Sequence, residues 1–217
     1  MPIFRCMVNV VINKNKSGDN MFSYGETKYL SVVETARIIR KALKNKFEGT
    51  KFSVRSDKYA GGASINISWT DGPTSKEVEE ITNLYNGKGF DGMIDLAYSY
   101  SHWLMPDGSI EIASSGGTAN SGGTVPSIDN PKPHPKATLV HFGSDYVFTR
   151  RNYTEEALKV AKDWVVQEHG SSSVEIKKNT YGGDFYLSCN NELLYEGAPH
   201  YVTASGEAMN FISEVSF

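Results

Sequence analysis

The stretch from Lys51 to Gly72 constrains the fold of this chain more than any other. Its apolar residues alternate with polar ones before and after a glycine pair, at Phe52, Val54, Ile65, Ile67 and Trp69. Alternation at a period of two predicts strands with one buried face. Glycine accepts positive φ, so Gly61-Gly62 permits the chain to reverse. The sequence therefore predicts a β-hairpin.

Helices are predicted on both sides of this hairpin. Before it, apolar residues recur at helical spacing, at Val32, Ala36, Ile39, Leu43 and Phe47. After it, Thr74 to Glu77 has the pattern of a capping box, which begins a helix. The predicted unit is helix, hairpin, helix, with the helices covering the apolar face of the hairpin.

Further strands are predicted at Phe4 to Ile12, Phe90 to Tyr100 and Ile110 to Ala113, the last two joined at a Pro-Asp-Gly turn. Residues 114–136 are mostly Gly, Ser, Asn and Pro, which predicts a linker or a long flexible loop. We therefore predict an N-terminal domain over residues 1–113 and a C-terminal domain over residues 137–217.

The C-terminal half is predicted to begin with a hairpin, in which Ala137 to Phe142 and Tyr146 to Arg150 flank Gly143-Ser144. A helix capped by Thr154 follows, then a second glycine-containing hairpin around Tyr181, and a closing helix from Ser205 to Val215.

The predicted fold class is α+β, with two helix-covered antiparallel sheets. Aligning Tyr181 on Tyr59 matches Ile176 with Val54 and places Leu187 on Ile65. Duplication of a helix-and-hairpin unit and independent recurrence of a common motif both explain this match. One fused domain, in which strands 4–12 and 137–142 join a common sheet, is the alternative to two.

Composition favours a cytoplasmic protein without a cofactor or a metal site. The net charge is only −3, and no apolar stretch approaches the roughly 20 residues of a membrane span. The N-terminal residues lack a basic region followed by an apolar run. Two cysteines, Cys6 and Cys189, are too few for a disulfide framework or a zinc site.

Several short motifs occur in the right order for a known family: Glu34-Thr35-Ala36, Phe52-Ser53-Val54-Arg55, Tyr59 with Gly61-Gly62, Trp69-Thr70-Asp71-Gly72-Pro73, and Phe90-Asp91-Gly92-Met93. Over residues 30–97 the chain resembles a large polyvalent protein associated domain, the twenty-ninth of that series. The resemblance implies a setting in bacterial phages, plasmids or conjugative elements, and proteins that counter host defences. It implies no catalytic residues.

The titratable residues supply three candidates for catalysis, namely Asp91, Asp95 and His102. Carboxylates and an imidazole are the groups that acid–base and metal sites use. No spacing among them fixes a site geometry, and turn or surface roles are the favoured explanation for them. An enzyme acting on nucleic acid or on a host protein is therefore a hypothesis that rests on these three residues.

Charge is distributed unevenly around the first hairpin. From Arg37 to Lys58 eight basic residues stand against two acids, about +6, whereas Asp71 to Asp95 carries about −4. A solvated helix face is the ordinary meaning of such a run. The alternative is a surface for phosphates or an acidic partner, with an aromatic residue available to stack on a base or fill a pocket. The predicted binding residues are Arg37, Arg40, Lys44, Arg55, Tyr59 and Trp69.

Three functions follow from these observations. The first is a non-enzymatic protein of a mobile element that binds a host protein complex, as an inhibitor of the anti-CRISPR or anti-restriction type. The second is a nucleic-acid-binding module that uses the basic face from Arg37 to Lys58, and the third is the enzyme.

Overall fold

The computed structural model describes residues 27–119, 124, 127–169, 174–178, 185–188 and 204–216. The helices among them are α1 Val32–Lys46, α2 Ser75–Thr82, α3 Glu155–His169 and α4 Ala204–Glu214. The strands are β1 Lys28–Tyr29, β2 Ser53–Tyr59, β3 Gly62–Thr70, β4 Lys88–Asp91, β5 Leu96–Ser99, β6 Ser101–Leu104, β7 Ile110–Ser115, β8 Ile128–Asp129, β9 Thr138–His141, β10 Tyr146–Asn152, β11 Glu175–Lys178 and β12 Phe185–Ser188. The α+β class is confirmed.

The helices that flank the first hairpin are confirmed, with the predicted capping box at Thr74 and a second, unpredicted one at Ser31. In α1 the Ser31 hydroxyl accepts from the Glu34 amide, and the Glu34 carboxylate accepts from the Ser31 amide. Thr74 and Glu77 exchange the same bonds at the start of α2. The predicted apolar stripe of α1 is buried, at Val32, Ala36, Ile39 and Leu43. The helix ends one residue before Phe47, which is half-buried.

The first hairpin forms as predicted and belongs to a three-stranded sheet in the order β10-β3-β2. Strands β2 and β3 are antiparallel around Ala60-Gly61, and Gly61 takes a φ of +89°. Strand β10 lies parallel to β3 on its other side. Helices α1 and α2 cover one face of this sheet, whose buried residues are Val54, Ile65, Ile67 and Trp69.

A five-stranded sheet in the order β1-β9-β6-β7-β8 lies beside this unit. The prediction of one strand from Phe90 to Tyr100 was wrong, because residues 88–99 form a hairpin of their own, β4 with β5. The predicted Pro-Asp-Gly turn connects β6 to β7 instead. Its Gly108 has a φ of +91°, which explains the glycine.

The predicted hairpin around Gly143-Ser144 was also wrong. Strand β9 pairs with β1 and β6, whereas β10 pairs with β3 in the other sheet. A Cβ on Gly143 would lie 2.4 Å from the Leu30 carbonyl oxygen and 2.6 Å from the Val32 amide nitrogen. The glycine therefore permits close packing against the start of α1 rather than a tight reversal.

Strands β9 and β10 place residues 138–152 in the same sheets as residues 28–115. This pairing corrects the assignment of these strands to a separate C-terminal domain. It agrees with the fused alternative for Ala137 to Phe142. The segment predicted as a linker contributes β8, which pairs with Ser114 and Ser115 at the end of β7. The predicted strand Phe4 to Ile12 lies outside the described residues.

The C-terminal elements have a core of their own. Helices α3 and α4 and the hairpin of β11 and β12 bury Leu158, Ala161, Val165, Val174 and Ile212. The Thr154 hydroxyl accepts from the Ala157 amide at the start of α3, as predicted, and α4 confirms the closing helix.

Both halves thus run helix, hairpin, helix, but the strand registers of the two hairpins differ. Val54 pairs with Ile67 in the first hairpin, whereas Ile176 pairs with Leu187 in the second. The proposed alignment would instead require Ile176 to pair with residue 189, which lies outside the described part. Duplication therefore stays a prediction.

Candidate functional site

One face of the three-stranded sheet is partly exposed to solvent, with Ser64 in its middle buried, and two of the predicted binding residues lie on it. Arg55 pairs with Asn66, and Asn66 pairs with Phe148. All three are exposed, since the adjacent row of Val54 and Ile67 faces the core. The same alternation places further residues on this side. We define the open face as Ser53, Arg55, Asp57, Tyr59, Gly62, Ser64, Asn66, Ser68, Tyr146, Phe148 and Arg150.

Tyr59 lies across the end of the open face. A Cβ at the paired Gly62 would lie 2.8 Å from Tyr59 Cε2 and 2.1 Å from an Asp145 carboxylate oxygen, so only glycine leaves room for both side chains. Tyr59 is 50% exposed and Phe148 is 54% exposed. The ring of the half-buried Tyr146 lies 6.3 Å from that of Phe148. The open face therefore carries three aromatic rings and two arginines.

The other predicted basic residues lie on a different surface. Arg37, Arg40 and Lys44 are exposed on α1, which covers the opposite face of the sheet. Arg40 also donates a hydrogen bond to the Val54 carbonyl. The predicted binding set is thus divided between the helix and the open face, and Arg55 does not belong to the helix surface.

Trp69 cannot serve as a binding residue in this fold, which corrects its assignment. It pairs with Arg151 on the core face of β3 and is 2% exposed. Its indole nitrogen donates to the Pro73 carbonyl at 3.0 Å, and its ring lies 5.6 Å from that of Phe52. Trp69 is a core residue.

A cleft of about 810 Å³ lies at the end of α1. Arg40, Lys44, Phe47 and Phe52 are among its lining residues, together with the acid Glu48. The side chains that line the cleft therefore carry both positive and negative charges, and part of its wall is aromatic. It is the place where the basic helix surface meets apolar side chains.

The three candidate catalytic residues lie in different environments. Asp91 is fully buried and accepts from the Met93 amide at 2.9 Å and the Thr118 amide at 2.7 Å. Asp95 is exposed at a turn, with a φ of +54°. His102 is buried in β6 beside Tyr100 and Phe142. Among the residues that the structure describes, no cluster of His, Cys, Asp and Glu could hold a metal ion.

The hairpin of β4 and β5 carries a surface that sequence reasoning missed. We call it the apolar tip, and it consists of Phe90, Met93, Ile94 and Leu96. Each of these side chains is more than half exposed. Asp91 fixes the tip through the two amides, and the Thr124 hydroxyl donates to the Phe90 carbonyl. Phe90 and Met93 belong to a family motif, but only the strand pairing shows that they project into solvent.

His102 is expected to destabilise the fold in mild acid. Its Nδ1 has no partner in the described structure, and burial, with a smaller effect of His141, lowers the pKa of His102 to about 4. The unfolded chain binds a proton below about pH 6.5 while the folded chain does not, so the free energy of unfolding falls as the pH drops below that value. Between pH 7 and pH 5.5 this loss is about 1 kcal/mol.

Urea denaturation of the wild type and of His102→Leu at both pH values measures this effect. The variant should show a smaller loss, and a His134→Gln control, altered at an exposed imidazole, should behave like the wild type. An equal loss in wild type and His102→Leu would contradict the assignment.

The family model of large polyvalent protein associated domain 29 matches residues 30–154, more than half of the chain. The chain belongs to this family. The match confirms the resemblance and extends it beyond residue 97. The domain 29 region begins just before α1 and ends just after β10, at the Thr154 that caps α3. It thus contains the three-stranded sheet with its open face, the five-stranded sheet except β1, and the apolar tip.

Membership in the domain 29 family associates this chain with phages and other mobile genetic elements. No match was found among curated proteins or solved structures. Within the described ranges, no helix is long and apolar enough to cross a membrane.

Proposed function

We propose that this domain 29 protein is a non-enzymatic accessory protein of a mobile element that binds a host protein through the apolar tip. Its specific role in this proposal is that of an anti-defence inhibitor of the anti-CRISPR or anti-restriction type. The observation that carries the proposal is a group of four large apolar side chains exposed to solvent on a hairpin whose backbone is fixed by hydrogen bonds to Asp91.

Exposed apolar groups of this kind mark interaction sites on soluble proteins. Binding energy at protein interfaces is concentrated in a few large side chains that enter pockets of the partner. Phe90 and Met93 have the size and flexibility for that role, and Ile94 lies at the end of the hairpin. The hydrogen bonds of Asp91 hold the backbone that carries these side chains before a partner arrives, which reduces the entropic cost of association.

The positions of the candidate catalytic residues also support a binding role. The carboxylate of Asp91 is engaged by two backbone amides, and His102 is enclosed by aromatic rings. Asp95 is exposed at the turn of the apolar tip. A contact surface explains their arrangement without a reaction.

The test is protection of an infecting phage in bacteria that carry a CRISPR or restriction system and express this protein. We expect the wild type to raise the plating efficiency and a Met93→Ser, Ile94→Ser double variant to lose this effect. Loss of a single such anchor weakens binding by about 2 kcal/mol or more, roughly 30-fold.

Val33→Ser is the matched control, because Val33 is also an exposed apolar residue but lies on α1, outside the apolar tip. It should protect as the wild type does. Affinity capture from the protected cells, with nuclease present, should then retain a defence protein on the wild type and not on the double variant. Full protection by the double variant, or protection against none of the defence systems, would refute the proposal. Loss of protection only on Asp95→Ala, with capture unchanged, would favour the enzyme.

A further inference from the structure

We propose that the open face of the three-stranded sheet binds single-stranded nucleic acid, with bases stacked on Tyr59 and Phe148 and phosphates held by Arg55 and Arg150. This inference goes beyond the proposed function, since it concerns a different surface and a different class of partner. It also differs from binding by the basic helix surface, because α1 lies on the other side of the sheet.

The aromatic residues are placed for stacking. Phe148 and Tyr59 stand on strands at opposite sides of β3, and both rings are about half exposed. The residues between them on β3 are small or polar, namely Gly62, Ser64, Asn66 and Ser68, of which Asn66 is exposed and Ser64 is buried. From strand spacing and rise, the two aromatic residues are about 16 Å apart across the face. Tyr146 occupies the row between them.

An exposed sheet whose aromatic side chains stack on two or three bases is an established way to bind single strands. Each stack contributes about 1–3 kcal/mol and depends little on base identity, because every base has a flat face. A duplex hides those faces within its own stack, so the open face fits a single strand better.

The charged groups on this side also favour a polyanion. Arg55 on β2 and Arg150 on β10 are both exposed and lie on either side of β3, Arg55 in the row of Phe148 and Arg150 in the next row. Two acids are present as well. Asp145 pairs with Lys88 at 3.1 Å, and Asp57 is the carboxylate within the open face as defined above. Guanidinium groups suit phosphate because their fork of donors matches its oxygens.

The experiment is fluorescence anisotropy of the full chain with labelled oligothymidylate and oligouridylate of about 12 nucleotides, a length within known site sizes. We expect Phe148→Ala and Tyr59→Ala each to weaken binding by about 5-fold to 100-fold. Arg55→Ala should weaken it and reduce the slope of log affinity against log salt by about 0.7. Comparison of the two oligonucleotides distinguishes DNA from RNA.

The chain offers matched controls. Phe90 is 54% exposed, like Phe148, but lies on the apolar tip, and Arg37 is exposed on α1. Phe90→Ala and Arg37→Ala should leave the affinity unchanged. Phe148→Trp should retain binding, with its added fluorescence quenched by the oligonucleotide, which shows stacking directly in a folded variant.

Three outcomes would overturn the proposal. The first is no binding at protein concentrations up to about 100 μM. The second is tighter binding of a duplex of the same length, and the third is an equal loss of affinity in Arg37→Ala and Arg55→Ala. The last would assign binding to the helix surface or to general charge. None of these outcomes bears on phage protection by the apolar tip, so the two proposals fail independently.

Discussion

Trp69→Ala is expected to lower the free energy of unfolding by about 3–5 kcal/mol, the usual cost of removing a buried indole. The side chain lies beneath α1 and α2 against Phe52, and its nitrogen donates to Pro73. Truncation creates a cavity and leaves the Pro73 carbonyl without this donor. Urea denaturation monitored by far-UV circular dichroism measures the change.

Tyr59→Ala is the comparison that separates core from surface. Tyr59 is half exposed, so its truncation should change stability by no more than about 0.5 kcal/mol. If Trp69→Ala were as stable as Tyr59→Ala, Trp69 would not be a core residue and its assignment as a binding residue would return.

Arg151→Met is expected to cost about 3 kcal/mol or more, because the buried guanidinium donates to four backbone carbonyls. Two of these belong to Asp71 and Gly72 in the domain 29 region, and two to Ile212 and Val215 at the end of α4. A cation at that position also interacts favourably with the C-terminus of the helix. For a chain of this size the midpoint of thermal unfolding should fall by about 6–12 °C.

The neighbouring Arg150 provides the matched control, because it is exposed where Arg151 is buried. Arg150→Met should change stability by about 0.5 kcal/mol or less. Arg151→Lys should be intermediate, since an ammonium keeps the charge but not the planar fork. Limited proteolysis should release α4 faster in Arg151→Met, and an unchanged cleavage rate would contradict the role of Arg151 in joining the two regions.

The features predicted correctly are those that depend on nearby residues. Helices are predicted by local patterns, namely the spacing of Val32 and Ile39 and the capping box at Thr74. The hairpin is likewise predicted by the glycine at position 61. The alternation of apolar and polar residues also predicts that Trp69 faces the core. Trp69 is two residues after the core residue Ile67 and shares its face of β3, whereas Arg55 and Tyr59 are an odd number of residues from the core residue Val54 on β2 and lie on the other face. Periodicity alone would have removed Trp69 from the binding set.

The rest of the candidate site depends on contacts between distant parts of the chain. Phe148 and Arg150 join the open face only because β10 pairs with β3, and no local pattern in residues 146–152 specifies that partner. The same holds for the segment after β9, where Gly143 indicated a turn but permits close packing against Ser31 and Val32. The apolar tip was missed because the run from Phe90 to Tyr100 resembles one buried strand.

The pairing of β10 with β3 also determines when the protein can fold during synthesis. Until residue 152 has left the ribosome, β3 has a partner on one side only, and its other edge is open to strands of other molecules. Contacts so distant along the chain slow folding, because a large loop must close before they form. A nascent chain of this protein therefore passes through a period in which misassociation competes with its final strand, and expression fragments that stop before β10 would remain in that state.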